Sequence, residues 1–415
     1  MSFFEYHDGG LHAESVALAD IAQRFGTPCY VYSKAALLAA YRAYGEGFAG
    51  HDHLICYAVK ANSNLAILGL LARQGSGFDI VSGGELARVL AAGGDPAKTV
   101  FSGVGKSHAE IRQALAAGIL CFNVESESEL ARIESLARES GKAAPVSLRV
   151  NPDVDAQTHP YIATGLAEDK FGVPVEQALA LYRKAHASPN LRVTGIDCHI
   201  GSQLTSTGPF VAALHRVLAL VDRLAAEGVA LDHIDIGGGL GIRYSAEDAP
   251  PPVGDYARTL IGALAGRRCK LLLEPGRSLV GNAGVLLTRV EYLKRNGTRG
   301  FAIVDAAMND LIRPALYDAY HDIVPVSRSE RAGERYDVVG PVCESADFVG
   351  RDRSLALAEG DLLAIMSAGA YGMSMSSNYN SRPRAAEVIV DGRDVHLARE
   401  RESVEQLFAL EKVVR

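Results

Sequence analysis

Apolar and polar positions alternate along this chain in two different rhythms. Through the first two thirds, short β-branched and apolar runs are separated by Ala/Leu-rich stretches with helical spacing. The runs predict strands at residues 53–59, 78–81, 99–101, 120–124, 146–150, 192–198, 233–236 and 270–273. The intervening stretches predict helices, for example at 65–74, 84–92, 107–117, 126–140 and 210–227. About eight strand–helix units over roughly 230 residues is the size and rhythm of a (β/α)8 barrel, although a doubly wound sheet alternates in the same way. After Gly281 the rhythm changes. Residues 285–293, 301–304, 335–339, 361–365, 387–390 and 395–398 read as strands separated by turns, and the simplest interpretation is a second, mostly β domain, a β-barrel or sandwich. A further strand at 29–32 precedes the first barrel unit and is assigned to that β domain. The expected division is therefore an N-terminal segment 1–35 that joins the β domain, an α/β TIM barrel at 36–280 and a C-terminal β domain at 281–415.

Composition narrows the function classes. With 415 residues, 48% hydrophobic and 22% charged, the chain can bury a sizeable core in more than one domain. A net charge of −7 disfavours a nucleic-acid partner or an anionic membrane, either of which wants a basic field. The six cysteines are scattered, with no C-x-x-C pair and no Cys/His cluster at zinc spacing, so neither a disulfide framework nor a metal site is expected. That usage fits a reducing cytoplasm. Residues 1–10 carry Glu5 and Asp8 and lack a basic, apolar leader pattern. No apolar stretch of about 20 residues predicts a membrane span.

The candidate chemistry lies where the strands end, the rim at which barrels of this kind carry their sites. The first strand runs into Lys60-Ala61-Asn62; the second carries Asp79. The sixth ends at His199-Ile200-Gly201-Ser202, the seventh at Gly237-Gly238-Gly239-Leu240-Gly241 and the eighth at Glu274-Pro275-Gly276-Arg277. A lysine desolvated at a strand end has its pKa lowered and can form a Schiff base; read alone, Lys60 is equally a lysine snorkelling to water. Bare backbone N–H groups of a glycine turn can cradle a phosphate, and any tight turn can also use them. Glu274 can pair with a protonated pyridine nitrogen, or simply cap a helix. His199 can stack on a flat ring, or be a buried histidine satisfied by backbone. Arg277 offers a planar fork for carboxylate or phosphate. Together, a lysine, a stacking ring, a phosphate turn and an acid for a ring nitrogen are the parts that a pyridoxal 5′-phosphate (PLP) site needs.

The β domain adds three clusters. Residues 305–314 put Arg313 near Tyr317. Residues 340–347 place Cys343 beside Glu344 in a Gly/Pro turn. Gly369-Ala370-Tyr371-Gly372 and Asn378-Tyr379-Asn380 supply polar aromatics that can reach a phosphate or substrate. Taken singly, these are a surface salt bridge, a small buried thiol and ordinary turn chemistry.

The ordered motifs at 57–62, 101–107, 122–130, 199–204, 235–241, 274–278, 309–317, 343–347 and 369–371 resemble, across essentially the whole chain, the alanine-racemase-like (fold type III) PLP-dependent decarboxylases. Within them the likeness is to the branch that converts meso-2,6-diaminopimelate to L-lysine and carbon dioxide, the last step of lysine synthesis by that route. The resemblance implies that Lys60 carries the cofactor, with Asp79 and Ser202 beside it. His199 would stack on the ring and Glu274 face its nitrogen. Gly237, Gly238 and Gly239, with Gly276 and Arg277, would hold the phosphate, approached also by Tyr371. Cys343 would be the proton donor. Arg277, Arg313, Tyr317, Glu344 and Tyr371 would contact the amino-acid substrate. It also implies a homodimer with shared sites. Glu344 matters for specificity: in the ornithine branch the residue after the cysteine is typically Asp, serving a shorter diamine. Ala346 departs from the glycine of many relatives, which matters only if that turn needs φ > 0. A racemase of this fold would need a tyrosine base opposite the lysine, and a silent PLP binder tends to lose the lysine or the cysteine. Glu344 with Arg313 disfavours an ornithine, arginine or lysine decarboxylase.

Overall fold

A computed structural model describes residues 3–155 and 170–414. Two compact units emerge: Tyr41–Ile242 with Ala249–Ser278, and Met1–Ala40 with Arg243–Asp248 and Leu279–Arg415.

The first unit is a closed barrel of eight parallel strands: His53–Ala58, Gly77–Ile80, Thr99–Phe101, Cys121–Val124, Ala144–Asn151, Leu191–Asp197, His233–Asp235 and Lys270–Leu273. Each pairs with the next in sequence, and Leu271 pairs with His53 to close the ring. With both faces covered, the strands are buried almost throughout, which is why they read as continuous apolar runs. Cys56, Val100, Cys121 and Leu272 from four different strands form one apolar cluster. Helix starts follow local chemistry. Asn64 accepts from Ala66 N at 2.9 Å, Ser82 from Glu85 N at 3.2 Å, and Ser107 with Glu110 forms a reciprocal capping box, each satisfying otherwise orphaned amides.

The second unit is built on a sheet in the order Phe348–Leu355, Glu334–Val339, Arg299–Val304, Gly284–Asn296, Cys29–Ser33, Ala386–Asp391 and Asp394–Arg399. Leu362–Ile365 pairs with Gly284–Asn296 and with Ile323–Pro325. Cys29–Ser33, buried at every position, runs antiparallel to Gly284–Asn296 on one side and parallel to Ala386–Asp391 on the other, so the early strand does join the β unit. Its core gathers Phe4, Leu11, Leu18, Ile21, Val31, Val285, Leu287 and Val388 among others. The strand Phe348–Leu355 and the hairpin Phe4–His7 with Gly10–Ala13 are additions to what the sequence pattern predicts.

Candidate active site

At the end of the first barrel strand, a single helical turn, Val59–Ala61, carries Lys60. The Lys60 ammonium donates to Asp79 Oδ2 at 2.8 Å. The Lys60 side chain is 37% exposed and that of Asp79 0%, so the amine stands at the water's edge on a dry carboxylate whose second oxygen has no partner among the described residues.

Three more acids crowd the strand ends. Oxygens of Asp197, Asp235 and Glu274 lie within 4.8 Å of one another, and all three residues are buried. Glu274 Oε1 accepts from Ser102 Oγ and Asn123 Nδ2, both at 3.4 Å. Asp235 Oδ1 accepts from Gly237 N at 2.9 Å, while Asp235 Oδ2 and Asp197 Oδ1 have no hydrogen-bond partner among the described residues. Burial pushes Glu274 and Asp197 well above the usual carboxylate range, with neighbouring acids adding to it. Burial likewise raises Asp235 to about 7. Arg149 opposes this from 3.9 Å off Asp197 and 3.4 Å off Glu125. Buried carboxyls with orphaned oxygens favour a cation among them.

His199 is half-buried, and its imidazole is held well below its ordinary pKa, by burial first and then by the Arg149 and Lys60 cations. Its Nδ1 accepts from Gly238 N at 3.2 Å, so the neutral ring keeps its proton on Nε2. The glycine turn has no room for side chains. A Cβ on Gly238 would lie 2.2 Å from Glu274 O, and one on Gly239, at φ +109°, 2.5 Å from Gly201 O. Beyond Gly276, buried Arg277 donates through Nε and Nη2 to Ser202 Oγ at 3.2 and 2.9 Å. The barrel therefore gathers Lys60, Asp79, His199, Ser202, Gly237, Gly238, Gly239, Glu274, Gly276 and Arg277 on its strand-end loops. Ser102, Asn123, Arg149 and Asp197 join them without having been read from the sequence. Their signal was a polar residue at or just beyond the end of an apolar barrel strand.

The β unit carries the remaining candidates. Arg313 and Tyr317 bound a five-residue helix. Arg313 is buried rather than a surface salt bridge: Nη1 donates to His321 Nε2 at 2.8 Å, and the guanidinium lies 4.7 Å from the Tyr244 ring centre. His321 in turn gives its Nδ1 proton to Met366 O at 2.8 Å. Tyr317 is half-buried. Cys343 and Glu344 are exposed. Cys343 N donates to Asn380 Oδ1 at 3.1 Å, and the Tyr379 hydroxyl donates to Glu344 Oε1. Asp347 pins the same loop by accepting from Val342 N at 2.6 Å and Met308 N at 2.7 Å. Tyr371 holds φ at +56°, a conformation that non-glycine residues adopt at a cost and that gathers at functional loops. Ala346 is not among the positive-φ residues, so its difference from glycine carries no strain.

The family described as "Pyridoxal-dependent decarboxylase, pyridoxal binding domain" matches residues 34–281. The diaminopimelate decarboxylase of Pseudomonas aeruginosa is 61% identical over 414 residues, covering 100% of each chain. That of Vibrio cholerae is 58% identical, again covering 100% of each. The crystal structure of diaminopimelate decarboxylase from Helicobacter pylori complexed with L-lysine superposes with a TM-score of 0.92 at 46% identity, covering 95% of this chain and 99% of that one.

Proposed function

The chain belongs to the pyridoxal-dependent decarboxylases, and we propose how its residues carry out the reaction of its branch, the conversion of meso-2,6-diaminopimelate to L-lysine and carbon dioxide. This is the last step of lysine synthesis through diaminopimelate. The observation that carries the residue assignment is the barrel-end constellation: an amine at the water's edge 2.8 Å from Asp79, beside buried carboxyls with orphaned oxygens.

The donor set fits PLP. Asp79, Asp197 and Asp235, each with an oxygen left without a partner among the described residues, are acids that a cationic pyridine ring would help to ionise, and Glu274 is the acid to face its nitrogen. The turn at Gly237, Gly238 and Gly239, too tight for a Cβ at its centre, would hold the phosphate with Ser202, Gly276, Arg277 and Tyr371. PLP, when bound, supplies an electron sink for the pair left behind as the carboxylate departs.

Lys60 would be the amine that holds the cofactor. Asp79 holds that amine in place. His199, neutral and tethered by Gly238, presents its flat face to the ring without adding charge. Glu274 would face the ring nitrogen and, as the carboxylate, would favour a proton there. Cys343 delivers a proton to the carbon that lost carbon dioxide. Glu344 accepts from the substrate's distal ammonium, while Arg277 and Arg313 take its distal carboxylate, and Tyr317 and Tyr371 also contact the substrate. Arg313 suits that role because His321 and Tyr244 fix its guanidinium in advance. We further propose a homodimer with shared sites, a reading supported by the exposure of Cys343 and Glu344 on their own chain, and a cytoplasmic location, supported by six unpaired cysteines. Among the described residues, no helix is long and apolar enough to cross a membrane.

The test is carbon dioxide release by the PLP-loaded protein with meso-diaminopimelate, ornithine, arginine and lysine in parallel. Release from meso-diaminopimelate alone, with lysine formed, is expected. Release from another substrate instead would overturn the roles given to Glu344 and Arg313. For the shared site, subunits carrying Lys60→Ala are mixed with subunits carrying Cys343→Ala. Restored activity is expected, and a mixture as inactive as its parents would refute the sharing.

A further inference from the structure

The loop that carries Cys343 and Glu344 leaves both side chains exposed, so something else must fix where they point. Asp347 secures the loop's backbone at Val342. The next two residues are held by a different segment altogether. Asn380 Oδ1 accepts from Cys343 N at 3.1 Å, and the Tyr379 hydroxyl donates to Glu344 Oε1.

That second segment is itself anchored on both sides of these contacts. Ser377 N donates to Asn309 O at 2.9 Å. Asn378 donates to Glu402 Oε2 at 2.7 Å and accepts from Arg384 Nη1 at 2.8 Å. Arg382 Nε donates to the side chain of buried Asn309 at 3.1 Å. Between the anchors, Asn380 and Ser381 both sit in the left-handed region, at φ +55° and +52°. Two successive non-glycine residues there are unfavourable by themselves and persist only where surrounding contacts impose them. The turn therefore presents Tyr379 and Asn380 outward as a pair. The Glu344 carboxylate raises the Tyr379 pKa, which keeps the phenol protonated and so a donor.

We propose that Tyr379 and Asn380 are positioning residues: Asn380 sets the backbone at Cys343, and Tyr379 holds one oxygen of Glu344 so that the other is ready for the substrate's distal ammonium. The inference rests on the roles given above to Cys343 and Glu344. Glu344 is a carboxylate on a flexible side chain, and fixing it beforehand removes an ordering cost at binding. The effect of Tyr379 therefore belongs to substrate affinity, and that of Asn380 to the proton-transfer step.

Tyr379→Phe keeps the ring and removes the hydroxyl. The expected result is a KM for meso-diaminopimelate about ten-fold higher, the scale of one hydrogen bond to a charged group, with kcat little changed. In a Glu344→Ala background the same substitution should add much less, because the accepting oxygen is gone. Asn380→Ala should lower kcat with KM little changed and speed alkylation of Cys343 by iodoacetamide, read by peptide mass. Asn380→Asp keeps the accepting oxygen and tolerates the left-handed backbone, and should restore the slow alkylation. Unchanged melting temperatures separate these effects from loss of fold. An unchanged KM in Tyr379→Phe, an equal effect in the Glu344→Ala background, or wild-type alkylation in Asn380→Ala would each overturn the proposal. Wild-type protein inactive on meso-diaminopimelate would sink the functional reading instead, and the alkylation rates would still decide whether Asn380 holds the Cys343 backbone.

Discussion

Asp235→Asn should make the cofactor-free protein more stable and the cofactor-bound protein worse. Burial raises Asp235 from its ordinary 3.8 to about 7, so between about pH 4 and pH 7 the folded chain holds a proton that the unfolded chain has lost. Where the folded state binds more protons, stability falls as pH rises. The contribution is fully present below about pH 4 and lost as pH climbs through about 7. At ~1.4 kcal/mol per pKa unit, ionised Asp235 costs on the order of 4 kcal/mol above that range. An asparagine never ionises. Its Oδ1 can still accept from Gly237 N, a contact now at 2.9 Å, and its NH2 would replace Oδ2, which has no hydrogen-bond partner within normal geometry among the described residues. At pH 8 the gain should be on the order of 2–4 kcal/mol. For a barrel of this size that is a rise in melting temperature on the order of 10 °C, shrinking steadily towards pH 5. The same exchange removes negative charge from a site built for a cationic ring, so PLP should be retained less well, read by titrating the visible absorbance. Thermal melts of cofactor-free wild type and variant at pH 5, 6, 7 and 8 decide the matter. A variant less stable at pH 8, or a gap that does not change with pH, would show that Asp235 is not held under electrostatic strain.

Other perturbations read other parts of the site. Lys60→Ala should abolish the visible absorbance of lysine-bound cofactor; a retained chromophore would mean that another lysine carries it. Gly238→Ala drives a methyl to 2.2 Å from Glu274 O and should cost about 1–3 kcal/mol by overpacking together with most PLP affinity, both measurable in one ligand-dependent melt. Cys343→Ala should keep the chromophore and slow turnover, and an unchanged rate would remove its role as proton donor. Glu344→Asp should raise KM for meso-diaminopimelate, because the shorter acid leaves the reach of both Tyr379 and the distal ammonium; indifference would put specificity elsewhere.

The barrel was legible because strands covered on both faces are apolar without interruption. Thr99–Phe101 and Lys270–Leu273 have the bounds their sequence predicts. Helices announced by a polar cap, such as the one after Ser107, were equally plain. The helices Val175–Ala187 and Val253–Ala263 start at Pro174 and Pro252 with no side-chain cap, so no start signal marked them. Phe348–Leu355 hides its strand character behind Arg351, Asp352 and Arg353, with Asp352 at φ +53° and a shifting register against its neighbour. In the site, Lys60, Glu274 and the glycine turn were readable because each stands where a strand gives way to a loop. Arg149 and Asp197 were not, since other polar residues stand in both strands and their pairing spans the two. Nor does a one-dimensional pattern tie Glu344 to Tyr379 or Cys343 to Asn380.

The central place of Cys29–Ser33 in the second sheet has a consequence for how the chain is made. Its two partners, Gly284–Asn296 and Ala386–Asp391, leave the ribosome long after it does. At roughly 5–20 residues per second, the interval before Ala386–Asp391 follows is roughly 20–70 s. All of the barrel's own segments emerge within that interval. A buried, tyrosine-rich strand with both edges open is an invitation to mispairing. Nascent chains stalled just beyond Ser278 should therefore carry a protease-resistant barrel and a leading segment still open to cleavage, or to a chaperone that guards it until the last strands arrive.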